Sequence, residues 1–206
     1  MKKSKTNPYV SLDYINHARW ESFWVQIEEI LRTNPKNALE IGKGSGVVSF
    51  VLQNQGIDVT TLDVDKRVSP DVVGDVRQLP FRDKSFDTVL CCQVLEHLPF
   101  SDFEQSLKEL RRVARDYVVI SLPDPFSTYF YLATKFIPFI PKKSFVFKVI
   151  RFVRSKVDSV HQWEIGWPGT SLNQVDQAIK TCGFKIERTF CPAENLYHRF
   201  YILKKN

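Results

Sequence analysis

Short apolar runs alternate with amphipathic helical patterns between residues 37 and 122 of this chain. Parallel strands need a crossover connection, which is usually a helix, so this alternation predicts a parallel sheet with helices on both faces. The apolar runs predict strands at 38–41, 59–64, 72–73, 87–94 and 117–122. The amphipathic patterns predict helices at 14–32, 47–54 and 101–115.

The last part of the chain has a different pattern. A helical stripe over residues 172–182 ends at Gly183, and two apolar runs follow at 185–190 and 197–203. Because only a short turn joins these two runs, they must pair as an antiparallel hairpin. We therefore expect an α/β, doubly wound fold whose seven-stranded, mostly parallel sheet ends in a C-terminal antiparallel hairpin edge.

The length of 206 residues and the 43% share of hydrophobic residues fit one globular domain. The start of the chain is basic but has no apolar run behind it, so we expect no secretory signal and a cytoplasmic protein. The four cysteines lack metal-ligand spacing, so we expect reduced thiols and no metal. The expected divisions are a helical extension at 1–36, a core at 37–123, an aromatic and basic insert at 124–160, and a helix and hairpin at 161–206.

Two local patterns make sharper predictions. Trp20 and Trp24 lie at helical spacing with Ile27, which predicts that both indole rings pack on the core. Ser101 and Glu104 have the spacing of a capping box at the start of a helix.

A glycine-rich turn at 42–46 lies between the first predicted strand and the first helix of the core, where glycines allow close backbone approach to a ligand. Its glycines are spaced one residue too closely for the nicotinamide dinucleotide pattern. Glu40, just before the turn, would oppose a pyrophosphate but suits a ligand that presents an ammonium group. Asp63 ends the second strand 21 residues after Gly42, where a carboxylate can accept hydrogen bonds from the ribose of either kind of nucleotide.

Further along, Asp75 could accept from an exocyclic adenine amine, and Val76 offers an apolar face for the ring. With these motifs the chain resembles the class I S-adenosylmethionine-dependent methyltransferases, in particular a small group with Leu-Pro-Phe and Glu-His-Leu signatures. The resemblance rests on residues 39–46, 62–65, 74–76, 79–81, 86–87 and 94–98.

This resemblance implies S-adenosylmethionine as the cofactor and a small-molecule methyl acceptor, which could be hydrophobic. The implied cofactor contacts are Glu40, Gly42, Gly44 and Gly46 at the methionine end, Asp63 at the ribose, Val64 beside the adenine, Asp75 and Val76 at the adenine edge and face, and Gln93 beneath the methionine portion. Lys43 departs from the pattern, because many relatives have a small residue here and a cation is unfavourable beside a sulfonium. Its ammonium could reach the cofactor carboxylate, an anionic acceptor or solvent, and we favour solvent.

A hydroxyl or protonated amine acceptor would also need a base. The candidate side chains are Glu96, His97, His161 and Glu164. Glu96 and His97 belong to the Glu-His-Leu signature, and for both we favour a structural role in ordering the loop after the fourth strand. His161 and Glu164 belong to a motif at 161–166 that could form a wall of the acceptor pocket.

The insert accounts for the net charge of +6, because residues 125–160 hold seven Lys or Arg and one Asp while the rest of the chain is neutral. Its nine aromatic residues favour a lid that sets acceptor specificity. A peripheral membrane contact through 126–154 and a structural addition that packs on the sheet or a second subunit are the alternatives, so monomer and homodimer both fit. Its apolar stretch is shorter than the roughly 20 residues that cross a bilayer. Nucleic acid is not expected as a partner, because no recognition motif accompanies the basic residues.

Two other functions stay open. A nicotinamide-dependent oxidoreductase is disfavoured by the glycine spacing and by Glu40. A non-catalytic module that binds S-adenosylmethionine or a membrane surface is motivated by the insert and by the lack of an unambiguous base.

Overall fold

The computed structural model describes residues 9, 11, 14–125, 160–193 and 195–206, together with the backbone of residues 127–134 and 143–150. The helices and strands, in chain order, are α1 (His17–Thr33), β1 (Asn37–Ile41), α2 (Val47–Asn54), β2 (Asp58–Asp63), β3 (Val72–Val73), β4 (Phe86–Cys92), α3 (Phe103–Val113), β5 (Ala114–Pro123), β6 (Ser127–Thr134), β7 (Lys143–Ile150), α4 (Leu172–Thr181), β8 (Phe184–Phe190) and β9 (His198–Lys205). Short 3-10 turns lie at Lys66–Val68, Leu95–His97 and Phe100–Asp102.

Seven strands form one sheet in the order β3-β2-β1-β4-β5-β9-β8. Strands β1 to β5 pair in parallel, whereas β9 runs antiparallel to both β5 and β8. This confirms the predicted doubly wound α/β fold and refines it, because β9 lies inside the sheet and β8 forms its edge. The chain order reverses between β1 and β4, so a crevice is expected at the carboxyl ends of these two strands.

Both faces of the sheet are buried, as the continuous apolar runs predict. In β4, Val89 and Cys91 belong to the core cluster shared with α3 and α4, whereas Leu90 belongs to the cluster shared with α1 and α2. Each of these three side chains is at most 2% exposed. Burial of an aliphatic side chain of this size is worth about 1.5–3 kcal/mol relative to exposure, so β4 is strongly anchored.

Helix α1 buries a different face from the predicted one. Trp20 is 56% exposed and Trp24 is 57% exposed, so the prediction that both pack on the core is wrong. The buried apolar side chains of the helix include Phe23, Ile27 and Ile30. Two apolar stripes with the same helical period share Ile27, and periodicity alone cannot choose between them.

Polar contacts explain which stripe of α1 is buried. The buried hydroxyl of Ser22 forms a 2.9 Å hydrogen bond with Nδ1 of His198 in β9, and burial lowers the pKa of this imidazole to about 3. The buried carboxylate of Glu29 pairs with Arg188 in β8. Because the partners come from the far end of the chain, the local sequence of α1 does not reveal them.

The predicted capping box of Ser101 and Glu104 is not formed. Helix α3 begins at Phe103, and its N-cap residue, Asp102, has helical backbone angles and no side-chain cap. A capping side chain needs an N-cap residue with extended backbone, whereas here a 3-10 turn runs directly into the helix. The hydroxyl of Ser101 instead donates to the Asp102 carboxylate at 3.3 Å.

A capping box is present at α4. The Ser171 hydroxyl accepts from the backbone of Gln174, and the Gln174 side chain accepts from the Ser171 backbone. The helix is followed by Gly183 with a φ of +84°, and the Gly183 amide donates to the Lys180 carbonyl. The predicted helix stop is therefore confirmed.

Part of the insert is described as a second, two-stranded sheet. Its strands β6 and β7 pair antiparallel from Ser127 opposite Ile150 to Thr134 opposite Lys143. The predicted lid, membrane and subunit contacts of the insert rest on side chains outside the described residues. None of the helices within the described ranges has the length and hydropathy to cross a membrane. Cys91, Cys92 and Cys182 are free thiols, and Cys91 and Cys182 are buried.

Candidate functional site

The glycine-rich turn lies at the carboxyl end of β1, beside the point where the strand order reverses. Gly42, Gly44 and Gly46 have φ values of +83°, +51° and +76°, which side-chain-bearing residues adopt rarely. A Cβ atom on Gly42 would lie 2.4 Å from Cγ2 of Val94, the residue that follows β4 by two positions. The turn therefore packs its bare backbone against the loop after β4, and Gly46 then caps α2.

Glu40 lies in β1 directly before this turn and is 5% exposed. Its Oε2 atom has no hydrogen-bond partner among the described residues. Burial raises the pKa of Glu40 to about 7, against the opposing effects of Ser49 and Lys43. A buried carboxylate with an unused oxygen is unfavourable unless a cation or donor joins it, which fits a ligand with an ammonium group.

Asp63 ends β2 next to the turn, as the sequence predicts. Its Oδ1 atom accepts from the Asp65 amide at 2.8 Å, and its Oδ2 atom accepts from the Gly44 amide at 3.4 Å. These two backbone donors hold the carboxylate in place and leave it acceptor capacity, since an ionised carboxylate has about four lone-pair sites.

An aromatic pair from the N-terminal extension, which was not predicted from the sequence, lies over the turn. The Tyr14 hydroxyl is 3.5 Å, and the Tyr9 ring 4.0 Å, from where a Cβ on Gly44 would stand. The two rings pack edge to face with centroids 4.9 Å apart, and the Arg19 guanidinium lies 4.3 Å from the Tyr14 ring centroid. The only sign of this pair in the sequence is that two aromatic residues stand shortly before α1. The neighbouring residues do not show that the chain folds back onto the glycine turn.

Lys43 is half-buried, and its ammonium donates to the Ser69 carbonyl at 2.5 Å. The favoured prediction of a lysine extended into solvent therefore needs correction. The physical reason is the 3-10 turn after β2, which ends at Ser69 with a φ of +50° and presents this carbonyl to the glycine turn. The ammonium is thus held against the loop after β2.

The residues predicted to contact the adenine differ in how accessible they are to a ligand. Val64 is 69% exposed and is available to a ligand, whereas Val76 is 4% exposed and belongs to the core cluster under α3 and α4. The Asp75 carboxylate is bound by Arg77 at 2.6 Å, and this hydrogen bond lowers the pKa of Asp75. Arg77 also pairs with Asp102 at 2.9 Å, so an adenine amine would share Asp75 with a fixed guanidinium.

Gln93 follows β4 with a φ of +55°, a left-handed conformation that is uncommon for a residue with a side chain. Its amide donates to the Ser121 carbonyl at 3.0 Å, and its Nε2 donates to the Ser121 hydroxyl at 3.2 Å. These two bonds to β5 hold the strained residue, which costs of order 1–3 kcal/mol and is found most often at functional sites. Gln93 directly precedes Val94, so it lies beside the glycine turn.

The predicted base candidates Glu96, His97 and His161 come together in space. One ring nitrogen of each histidine and one carboxylate oxygen of Glu96 all lie within 4.8 Å of one another. The two imidazole rings pack with centroids 5.0 Å apart. The motif after the insert therefore reaches the loop after β4, and the Gln162 amide fixes this approach by donating to the Glu96 carbonyl at 2.8 Å.

Glu164 and Tyr197 are hydrogen-bonded to this cluster through His161. Nδ1 of His161 donates to Oε1 of Glu164 at 2.8 Å, and the Tyr197 hydroxyl donates to the same oxygen at 2.6 Å. Glu164 was a candidate from sequence, whereas Tyr197 was missed because it lies just before β9, with no motif around it. The side chains of His161 and Glu164 are 8% and 1% exposed, so the pair is shielded from water.

Comparison with known proteins finds a similar domain in the core of this chain. Residues 39–120 match the family model described as a methyltransferase domain. The matched region runs from β1 into β5 and includes the glycine turn, Asp63, Asp75 and Gln93. Residues 39–120 thus match a methyltransferase domain, in agreement with the resemblance seen in the sequence.

Individual relatives agree with this class. Demethylmenaquinone methyltransferase of Thermotoga maritima is 33% identical over 101 residues, which cover 43% of this chain and 43% of that protein. Norajmaline N-methyltransferase of Rauvolfia serpentina is 34% identical over 98 residues, which cover 39% of this chain and 32% of that protein. The chain thus spans less than half the length of these curated relatives.

Solved structures share the fold. Magnesium protoporphyrin IX methyltransferase from Synechocystis, with bound SAH, superposes with a TM-score of 0.63 at 14% identity. The superposition covers 92% of this chain and 84% of that chain. At this identity the likeness shows a common fold, including the C-terminal part beyond residue 120.

Proposed function

We propose that this chain is an S-adenosylmethionine-dependent methyltransferase that acts on a small-molecule acceptor. The observation that carries the proposal is the buried Glu40 carboxylate, whose Oε2 has no hydrogen-bond partner within the described residues, at the glycine turn of a methyltransferase domain. A dinucleotide would bring a pyrophosphate to this turn and meet a negative charge. S-adenosylmethionine brings an ammonium group instead.

The cofactor would lie along the carboxyl ends of β1, β2 and β4. Glu40 would accept from its ammonium group, the bare backbone of the turn would approach the methionine portion, and Asp63 would accept from the ribose hydroxyls. Val64 would pack on the adenine ring, and Asp75 would accept from the adenine amine beside Arg77. The proximity of Tyr14 to Gly44 supports a role for this ring in covering the bound cofactor.

Methyl transfer requires an acceptor atom in line with the sulfur–methyl bond and a site that excludes water. The acceptor attacks the methyl carbon, and the electron pair of the broken bond stays on sulfur, which becomes a neutral thioether. The side chains nearest to Gln93 along the chain that could accept a proton are Glu96 and His97, with His161 beside them. They are the proposed source of a base.

The names of the relatives support a small molecule as the acceptor, since they specify demethylmenaquinone, norajmaline and magnesium protoporphyrin IX. We extend the proposal to a hydrophobic acceptor, because nine aromatic residues of the insert at 124–160 suit an apolar ring system. The insert would then set acceptor specificity.

Titration calorimetry with S-adenosylhomocysteine, the stable product, tests the cofactor site. Loss of hydrogen bonds to a charged group costs about 1.5–3 kcal/mol, so Asp63→Asn should weaken binding roughly 10-fold to 100-fold. The matched control is Asp58→Asn, at the exposed opposite end of the same strand, which should bind like the wild type. Absence of binding by the wild type, or an equal loss in both variants, would contradict the proposal. Binding of NAD⁺ instead would favour an oxidoreductase.

A further inference from the structure

Glu96 is an unusual residue even within this site. Its side chain is completely buried, and neither carboxylate oxygen has a hydrogen-bond partner among the described residues. A buried carboxyl group without partners is strongly unfavourable, and native structures tolerate it mainly where an ion, a ligand or a proton completes the site. The neighbours that face it are the imidazoles of His97 and His161.

We propose that Glu96, His97 and His161 bind a divalent transition-metal ion, and that their two-nitrogen, one-oxygen donor set fits Zn²⁺. Two imidazoles and one carboxylate are a recurrent set for a zinc ion that keeps one position open. The expectation of no metal from the sequence rested on the spacing of the cysteines alone. His161 lies 64 residues beyond His97, and only the fold brings the two together.

Hydrogen bonds at Nδ1 prepare both histidines as ligands. Nδ1 of His161 lies 2.8 Å from a Glu164 oxygen, and Nδ1 of His97 lies 3.2 Å from the Val160 carbonyl oxygen. Because a carboxylate and a carbonyl only accept, each Nδ1 carries the proton, and Nε2 of each ring has the lone pair that a metal needs. A carboxylate or carbonyl behind a metal-binding histidine is the usual outer arrangement of such sites.

The spacing of the three ligands is close to that of a loaded site. In a tetrahedral zinc site with bonds of about 2.1 Å, ligand atoms lie about 3.4 Å apart. The present atoms lie within 4.8 Å of one another, so small side-chain rotations close the difference. His97 is exposed and offers a route of entry, whereas Glu96 and the side chain of His161, which is 8% exposed, are largely buried.

The consequence for catalysis rests on the proposed methyl transfer, and with a metal bound these three side chains act as its ligands in place of the proposed base. The three protein ligands leave a coordination position to which an acceptor hydroxyl could bind. A zinc-bound oxygen loses its proton to water at a much lower pH than a free hydroxyl, so the metal would prepare the acceptor to attack the methyl group. Zinc itself is neither oxidised nor reduced in this step.

Cobalt(II) provides a direct test, because it replaces zinc and its visible absorption reports four-coordinate geometry. Tag-free protein is stripped with a chelator and titrated with CoCl₂, and Zn²⁺ is then added as a competitor. We expect one cobalt ion per chain, an intense visible spectrum, and its loss on addition of Zn²⁺. Failure of the wild type to bind Co²⁺ or Zn²⁺ would overturn the inference.

Variants locate the site. Glu96→Gln and His161→Gln should abolish the cobalt spectrum, and Glu164→Gln should weaken affinity about 10-fold to 100-fold without abolishing it. The control His17→Gln removes an exposed imidazole at the start of α1 and should bind like the wild type. An equal loss in His17→Gln would show nonspecific binding, and circular dichroism of the metal-free variants excludes unfolding as the cause.

Calorimetry of the same stripped protein with S-adenosylhomocysteine separates this inference from the proposed function. Metal binding without binding of S-adenosylhomocysteine would leave the metal site standing and contradict the methyltransferase proposal. Binding of S-adenosylhomocysteine without metal binding would support the cofactor site and contradict the metal site.

Discussion

Gly42 and Gly56 share a backbone φ of +83° but differ in the space around them. A Cβ on Gly42 would meet Val94 Cγ2 at 2.4 Å, whereas a Cβ on Gly56 would meet nothing within 4 Å. Alanine at either position therefore carries the same left-handed strain, and at Gly42 it also carries a steric clash. Comparison of the two substitutions isolates the close contact between the glycine turn and the loop after β4.

The magnitudes follow from these two effects. Left-handed backbone costs a residue with a Cβ about 1–2 kcal/mol, so Gly56→Ala should lower the free energy of unfolding by that amount. Overpacking adds about 1–3 kcal/mol at Gly42, because the β-branched side chain of Val94 has few alternative rotamers. Gly42→Ala should therefore cost about 2–5 kcal/mol.

Urea denaturation of the two single variants, followed by Val94→Ala and the double variant Gly42→Ala/Val94→Ala, measures the contact directly. The double-mutant cycle should give a favourable coupling of about 0.5–3 kcal/mol, since removal of the valine methyl groups relieves the clash. Equal costs for Gly42→Ala and Gly56→Ala, or a coupling of zero, would refute the reasoning.

Three further predictions concern Glu40, a buried ion pair and α1. Because burial raises the pKa of Glu40 from 4.5 to about 7, the folded chain holds more protons than the unfolded chain in this range, and the free energy of unfolding falls as pH rises through it. The free energy of unfolding of Glu40→Gln, measured relative to that of the wild type by urea denaturation, should therefore rise by about 2–3 kcal/mol as the pH goes from about 5 to about 8. Arg199 and Arg32 each pair with a carboxylate at 2.7 Å, but only the Arg199 pair is buried. Arg199→Met should cost about 3–5 kcal/mol and Arg32→Met at most about 1 kcal/mol, and similar costs would contradict the assigned burial. Trp24→Gln should change stability by no more than about 0.5 kcal/mol, whereas Phe23→Ala should cost about 3–5 kcal/mol, and thermal unfolding of both variants shows which face of α1 is buried.

The parallel core was predictable because its strands are buried on both faces and appear in the sequence as continuous apolar runs. Strand β4 shows this well, since Val89, Leu90 and Cys91 are all buried but face two different core clusters. The glycine turn and Asp63 were predictable for a related reason. Both lie at strand ends, where chain order alone places them at one edge of a parallel sheet.

Contacts between distant segments were not predictable from local pattern. The buried face of α1 depends on His198, and the cover over the glycine turn depends on the path of the chain before α1. His161 and Glu96 are close in space although the insert separates them along the chain. The sequence of the insert does not show that the residues on its two sides meet. Helical periodicity and motif spacing describe neighbours along the chain, and these three features join residues far apart in it.

The measurement that tests the central proposal most directly is transfer of an isotopically labelled methyl group. The purified chain would be incubated with S-adenosylmethionine labelled at the methyl carbon and a small-molecule and lipid extract, and products identified by mass spectrometry. We predict a labelled small molecule that is formed by the wild type and Asp58→Asn and is strongly reduced with Asp63→Asn. Binding of the cofactor with no labelled product from any extract, or equal labelling by Asp63→Asn, would contradict the assignment of this chain as a methyltransferase that uses this site.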